Sequence, residues 1–354
     1  MTGDSPTSGN GDDFVAGLTA GGGGAGAAMA TDVDIPNPGA HFLDGVDPTP
    51  AVAKPDPILV VDGVTRRFGG LTAVDVEHVE IQRGVITGLI GPNGAGKTTF
   101  FNLLTGFDTP NTGRWRVDGE DVSGKPPHVL ARMGVVRTFQ LTKALAKLSV
   151  LDNMKLGAVG QTGEKLVNSI FGFRWSKQER EVEERARALL DRFNMTHMAD
   201  EYAGTLSGGQ RKLLEMARAL MTEPRLVMLD EPMAGVNPAL TQSLLGHVKQ
   251  LRADGMSVIF VEHDMDVVRD ISDWVVVMAE GGVVAEGPHS SIVANPEVID
   301  AYLGRHHGEA LEGRDERETA AAHGSTAAGA DGVIAGDGAD GDDDDSVWRA
   351  DDDG

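Results

Sequence analysis

Three short groups of residues carry functional side chains in a regular arrangement. The first is Gly91-Pro92-Asn93-Gly94-Ala95-Gly96-Lys97-Thr98-Thr99, which fits the phosphate-loop spacing G-x-x-x-x-G-K-[ST]. Its glycines let the backbone turn tightly and aim N–H groups at phosphate oxygens. Lys97 adds a point charge for the β- and γ-phosphates, and Thr98 offers a hydroxyl to Mg²⁺. The helix that begins there points the positive end of its dipole at the anion. The second group is Asp230-Glu231, two adjacent carboxylates after the apolar run Leu226-Val227-Met228-Leu229. The third is His263, after Ser257-Val258-Ile259-Phe260-Val261-Glu262.

The elements around these residues predict how they are positioned. Val85–Ile90 reads as a short buried strand. Thr98–Thr105 carries Phe100, Phe101, Leu103 and Leu104 at helical spacing, with Gly106 as the expected C-terminal stop. The runs before Asp230 and His263 have the pattern of strands buried on both faces, which deliver acids and histidine to the carboxyl edge of a parallel sheet, where ligands bind. A lone histidine after a strand is usually structural; this one ends a strand of the same sheet as the phosphate loop and the acid pair. Ile58–Val61, Val74–Ile81 and Gly113–Gly119 read as added β-structure, the last as an antiparallel edge. Val135–Gln140 reads as a short strand ending on a polar residue.

Between Gln140 and Leu206 the periodicity becomes helical. Ser176 and Glu179 have the spacing of a capping box, followed by Val182, Ala186, Leu189, Leu190 and Phe193 on one face. Leu206-Ser207-Gly208-Gly209-Gln210 then precedes a helix from Arg211 to Leu220, a second potential anion site that alone is no more than an ordinary N-cap. Trp274–Met278 and Val283–Ala285 predict a hairpin, and Pro296–Leu303 a last helix. Phe68, before Gly69-Gly70, could stack on an adenine or simply be core.

Composition divides the chain. Residues 1–55 and 305–354 are rich in Gly, Ala, Asp and Pro and read as disordered extensions on either side of one domain, 56–304. They hold 22 acidic against 5 basic side chains, so most of the net charge of −23 lies in them and the domain itself is only mildly acidic. That balance argues against a nucleic-acid partner, which needs a basic face, and suggests a high-salt cell. The Asp342–Asp345 run lacks the glycine and distant glutamate of a calcium loop and reads as solvated tail. With no cysteine, disulfides, thiolate metal sites and a cysteine nucleophile are excluded. No run reaches the length of a membrane span and no signal peptide is evident, so a cytoplasmic protein is expected.

With its pieces in this order, the chain resembles the ATP-binding subunit of ATP-binding-cassette transporters over roughly residues 57–304. The combination of phosphate loop, Leu206–Gln210 signature and Asp230-Glu231 is highly specific. The resemblance implies an α/β phosphate-loop NTPase fold with a mixed-sheet core, an antiparallel β subdomain and an α-helical subdomain inserted at 141–206. It implies ATP hydrolysis with Mg²⁺. Residues 91–99 would hold the phosphates, with Thr98, Asp230 and Gln140 at the metal, Glu231 as general base, His263 as the switch histidine near the γ-phosphate and Phe68 stacked on adenine. Ser207, Gly208, Gly209 and Gln210 would complete the site of a second ATPase subunit, identical or different, in a head-to-tail dimer.

The implied partners are transmembrane permease subunits and, indirectly, an extracellular solute-binding protein, at the cytoplasmic face of the membrane. Asn237 stands where many members carry aspartate. That segment, Val261–Met265 and Ala301-Tyr302-Leu303-Gly304 are similar to the subgroup serving branched-chain amino acid importers, although urea importers use closely similar subunits. Two other readings leave residues unexplained. A soluble cassette acting on DNA or ribosomes usually has a coiled coil or tandem cassettes, and a general phosphate-loop kinase or GTPase leaves the signature and His263 without a role.

Overall fold

The computed structural model describes residues 37, 41–138, 146–158 and 172–302; for 172–177 and for residue 239 this covers the backbone alone. Two sheets organise them. The chain enters through β1 (Pro57–Phe68) and β2 (Leu71–Gln82), an antiparallel hairpin, then β3 (Ile86–Ile90) and helix α1 (Lys97–Leu104). β4 (Thr112–Val117) and β5 (Glu120–Asp121) return to the first sheet, whose order is β2-β1-β4-β5. Helix α2 (Pro127–Arg132) leads to β6 (Val135–Arg137), and helices α3 (Val150–Leu156), α4 (Gly172–Arg192) and α5 (Gly208–Leu220) follow. β7 (Leu226–Asp230), α6 (Pro238–Ala253), β8 (Ser257–Val261), α7 (Met265–Ile271), β9 (Trp274–Ala279), β10 (Gly282–Gly287) and α8 (His289–Val293) complete the order, with a last helical stretch over 296–302. The second sheet runs β10-β9-β3-β8-β7-β6, parallel except for the β9–β10 hairpin.

Pleating explains why the central strands read as continuous apolar runs. Val227 and Leu229, Val258 and Phe260, and Val275 and Val277 face the core shared with the helices. Their alternates Leu226 and Met228, Ile259 and Val261, and Val276 and Met278 face a second core shared with α1 and the antiparallel sheet, where Phe101 and Trp115 are fully buried. With both faces covered, these successive strand positions are apolar. The parallel strands therefore end together at one edge, and that edge carries the chemistry.

Three local expectations change. β5 lies outside β4, so Thr112–Val117 is an inner strand rather than an edge. Helix α4 starts at Gly172, so Ser176 lies inside it and is not an N-cap. Residues 41–55, expected to be disordered with the rest of 1–55, dock on the cassette instead. Leu43, Val46 and Val52 pack against the second core, and the Lys54 ammonium, buried, lies 2.7 Å from the carboxylate of Glu286. Glu286 also accepts from the indole N–H of Trp274 (2.9 Å) and the amide of Val52 (3.2 Å). Burial pulls Lys54 below its usual value, against the opposing pull of Glu286. A few apolar residues and one paired charge suffice to order this segment, although its composition does not announce it. The remainder of 1–55 and the tail 305–354 lie outside the described residues.

Candidate nucleotide site

The phosphate loop joins β3 to α1. Gly91, Gly94 and Gly96 have φ of 150°, 76° and 97°. A Cβ on Gly91 would lie 2.1 Å from the carbonyl oxygen of Met278, and one on Gly96 would lie 2.2 Å from that of Ala73, so both positions need glycine for space as well as for backbone angle. Gly96 is the N-cap of α1 and caps with no side chain, which leaves the first N–H groups of the helix facing the loop. The amide of Gly281, in the β9–β10 turn, donates to Ala95 (3.1 Å), and Asp75 of β2 donates to Gly281 (2.8 Å), so both sheets hold the loop. Lys97 Nζ turns back on it and donates to the carbonyls of Gly91 (2.6 Å) and Pro92 (3.0 Å). Asn93 and Thr98 are exposed.

β7 brings Asp230 level with Val261 of β8. The chain then turns sharply, since Glu231 adopts φ 45° while its amide donates to the Val261 carbonyl (3.1 Å). Thr98, Asp230 and Glu231 line one cavity of about 540 Å³ together with Thr138, Lys212 and Glu215. The phosphate-loop threonine and the acid pair, some 130 residues apart in the chain, thus meet at the sheet edge. Hard oxygens from Thr98 and Asp230 on one cavity suit Mg²⁺, which takes one or two protein oxygens and fills its shell with phosphate and water. Among the described residues no cluster of three His, Cys, Asp or Glu side chains offers a closed metal cage instead.

Other expected site residues lie apart from this cavity. The His263 side chain is 69 % exposed, with Nδ1 3.9 Å from Glu262. Phe68 is half exposed at the end of β1, with the Arg66 guanidinium 4.5 Å above its ring. Ser207 caps α5: its hydroxyl accepts from the Gln210 amide (3.3 Å), and the Gln210 side chain accepts from the Ser207 amide (2.8 Å). Gly208 is exposed, and a Cβ on it would meet nothing within 4 Å. Gly209 is pressed against Leu240, which a Cβ would reach at 1.7 Å. Gln140 lies outside the described residues.

Several site residues were not singled out from the sequence. Arg137, at the end of β6, pairs with Asp230 and donates to Asn102 of α1 (2.6 Å). Buried Glu262 accepts from the Met233 amide (2.9 Å), and burial raises its carboxyl above the usual range. Burial also pushes Glu215 up to about 7, while the charges of Arg218 and Lys212 oppose the rise. Glu262 stands beside His263 at a strand end, a signal that was there to be used. Arg137 and Glu215 carry no local signature.

A family model described as ABC transporter matches residues 75–234, and one described as branched-chain amino acid ATP-binding cassette transporter matches 283–308. The chain is 43 % identical over 247 residues to the probable branched-chain amino acid transport ATP-binding protein LivG of Archaeoglobus fulgidus, covering 70 % of this chain and 95 % of the relative. It belongs to the ABC transporter ATP-binding family. The cassette is also 44 % identical over 252 residues to the high-affinity branched-chain amino acid transport ATP-binding protein BraF of Pseudomonas aeruginosa, covering 70 % of this chain and 98 % of BraF. Among solved structures, the ADP conformation of an ATP-binding cassette superposes with a TM-score of 0.62 at 37 % identity, covering 70 % of this chain and 99 % of that one. The cassette is an ATP hydrolase. Among its described residues no helix is long and apolar enough to cross a membrane.

Proposed function

We propose that this cassette powers a membrane importer for branched-chain amino acids, working on permease subunits at the cytoplasmic face of the membrane. The observation that carries this reading is the match of residues 283–308 to the branched-chain amino acid cassette model, beyond the general ABC match. The LivG and BraF relatives bear names for the same transport.

In this reading two ATPase subunits, identical or paired with a related one, close head to tail on two ATP. Glu231 orients and deprotonates the attacking water. Lys97, His263 and the loop amides stabilise charge on the γ-phosphate, so positioning and electrostatics supply nearly all the catalysis. Thr98, Asp230 and Gln140 would hold Mg²⁺, which supplies further charge at the β- and γ-phosphate oxygens. Phe68 stacks on the adenine. Ser207, Gly208, Gly209 and Gln210 close over the nucleotide of the other subunit, which accounts for an exposed, glycine-bearing helix start away from the cavity. ATP then acts as the ligand that shifts the permeases between conformations. The acidic extensions fit a high-salt cytoplasm.

The test is purification of the full chain carrying Glu231→Gln from native membranes with ATP and Mg²⁺. Co-purification of permeases and of a second ATPase, with uptake of radiolabelled leucine lost in the variant strain, supports the proposal. Recovery of ribosomal or DNA-bound proteins with no permease overturns it.

A further inference from the structure

Helix α5 begins at the signature residues, and one of its side chains reaches the turn that carries Glu231. From its second turn, Lys212 reaches across 19 to 22 residues of chain and donates to three carbonyls of that turn: those of Glu231 (3.1 Å), Pro232 (3.0 Å) and Ala234 (2.6 Å). An ammonium has three protons to give, and three acceptors are in reach. These carbonyls belong to the turn in which Glu231 takes a left-handed φ of 45°, a conformation that costs a non-glycine residue free energy and persists only when its surroundings impose it. Lys212 is half-buried, lines the same cavity as Thr98, Asp230 and Glu231, and is surrounded by the charges of Glu262, Glu215 and Glu231. Glu262 holds the same turn through the Met233 amide.

We propose that Lys212 is a positioning residue for hydrolysis: its ammonium gathers the carbonyls of Glu231, Pro232 and Ala234, fixes the turn and so aims the Glu231 carboxylate at the attacking water. Because Lys212 lies five residues after Ser207 on one rigid helix, it also ties the start of the signature helix to the base of the chain's own site. Nucleotide of a second subunit docking on Ser207 would then be felt at Glu231. This inference rests on the role of Glu231 given above.

The experiment is steady-state ATP hydrolysis by the full chain with Mg²⁺, comparing wild type with Lys212→Met, Lys212→Arg and Glu231→Gln, together with ATP binding and hydrogen exchange of the amides of Glu231 and of 233–236. Methionine keeps the stem and removes the donors. The expected result is a kcat lowered at least about tenfold with KM and ATP affinity within about twofold, the pattern of an interaction needed in the transition state and not in binding. Exchange at these amides should quicken while the amides of α5 stay protected. Arginine, which keeps donors, should recover part of kcat. A methionine variant with wild-type kcat overturns the proposal, as does one losing kcat and affinity together with arginine no better than methionine. If methionine does not fold, arginine decides: the guanidinium cannot place one atom against three carbonyls, so unchanged kcat counts against the role. Wild-type turnover by Glu231→Gln would instead overturn the assignment of the base.

Discussion

The guanidinium of Arg137, at the end of β6, is paired with the carboxylate of Asp230 at the end of β7. Only 7 % of the Arg137 side chain is exposed, against 27 % for Asp230, and Arg137 also binds Asn102 at the far end of the phosphate-loop helix. The carboxylate proposed above to serve Mg²⁺ therefore already has a cationic partner within the fold. Arg137→Ala should destabilise the nucleotide-free protein by about 2 kcal/mol, below the range for a fully buried pair because Asp230 remains partly solvated. Mg²⁺ with a non-hydrolysable ATP analogue should restore more stability to the variant than to wild type, read as the shift in thermal midpoint. Equal shifts would show that the pair and the metal do not share Asp230.

Gly96 and Gly208 separate the two glycine-bearing helix starts. Gly96→Ala forces a Cβ toward the Ala73 carbonyl at φ 97°. It should cost about 2–4 kcal/mol or displace the loop, with nucleotide affinity lost in either case by calorimetry. Gly208→Ala meets open space and gains helix propensity, so the isolated fold should be as stable as wild type or slightly more so. A matching fall in hydrolysis would mark Gly208 as serving the nucleotide of a second subunit, whereas wild-type turnover would remove it from that role.

Lys54 and Glu286 anchor the segment before β1. Lys54→Met leaves the Glu286 carboxylate buried, still holding the Trp274 and Val52 N–H groups but without a counter-charge. A loss of about 3 kcal/mol is expected in denaturant unfolding. Lys54→Met with Glu286→Gln should recover much of it, because the uncompensated charge goes too. A double variant no better than the single one would place the loss in packing rather than charge.

Acid stability should depend on His247, stacked 4.4 Å from the Phe193 ring and 8 % exposed. Burial, with Arg192 adding to it, pushes this imidazole down to about 4. Between that value and about 6.5 the unfolded chain binds a proton that the folded one refuses, so stability falls as pH drops through this window, by up to about 3 kcal/mol. His247→Leu should flatten that limb of the stability–pH curve. Glu215 has the opposite sign: with its folded value near 7 against 4.5 unfolded, its contribution is complete below 4.5 and is lost as pH rises through 7. Glu215→Gln should raise the thermal midpoint at pH 8 and leave it unchanged at pH 4; a rise of equal size at both would rule out titration as the cause.

The features most legible in the sequence depend on short stretches of chain. The phosphate loop was legible because its glycines, lysine and threonine act through the backbone conformation of nine neighbouring residues. The strands before Asp230 and His263 were legible because burial on both faces makes Leu226–Leu229 and Val258–Val261 unbroken apolar runs. The family followed from the order of such stretches. The tertiary structure alone decided which side chains meet across them. Arg137 finds Asp230 because β6 and β7 are neighbours in the sheet, and Lys212 finds the Glu231 turn because the fold brings α5 within hydrogen-bonding reach of the chain that follows β7. It also decided that residues 41–55 dock, since one buried Lys54–Glu286 pair joins positions 232 residues apart. Periodicity and motif spacing record local geometry. A hydrogen bond or ion pair between distant segments leaves no mark on either segment alone, and it takes form only when packing brings the two together.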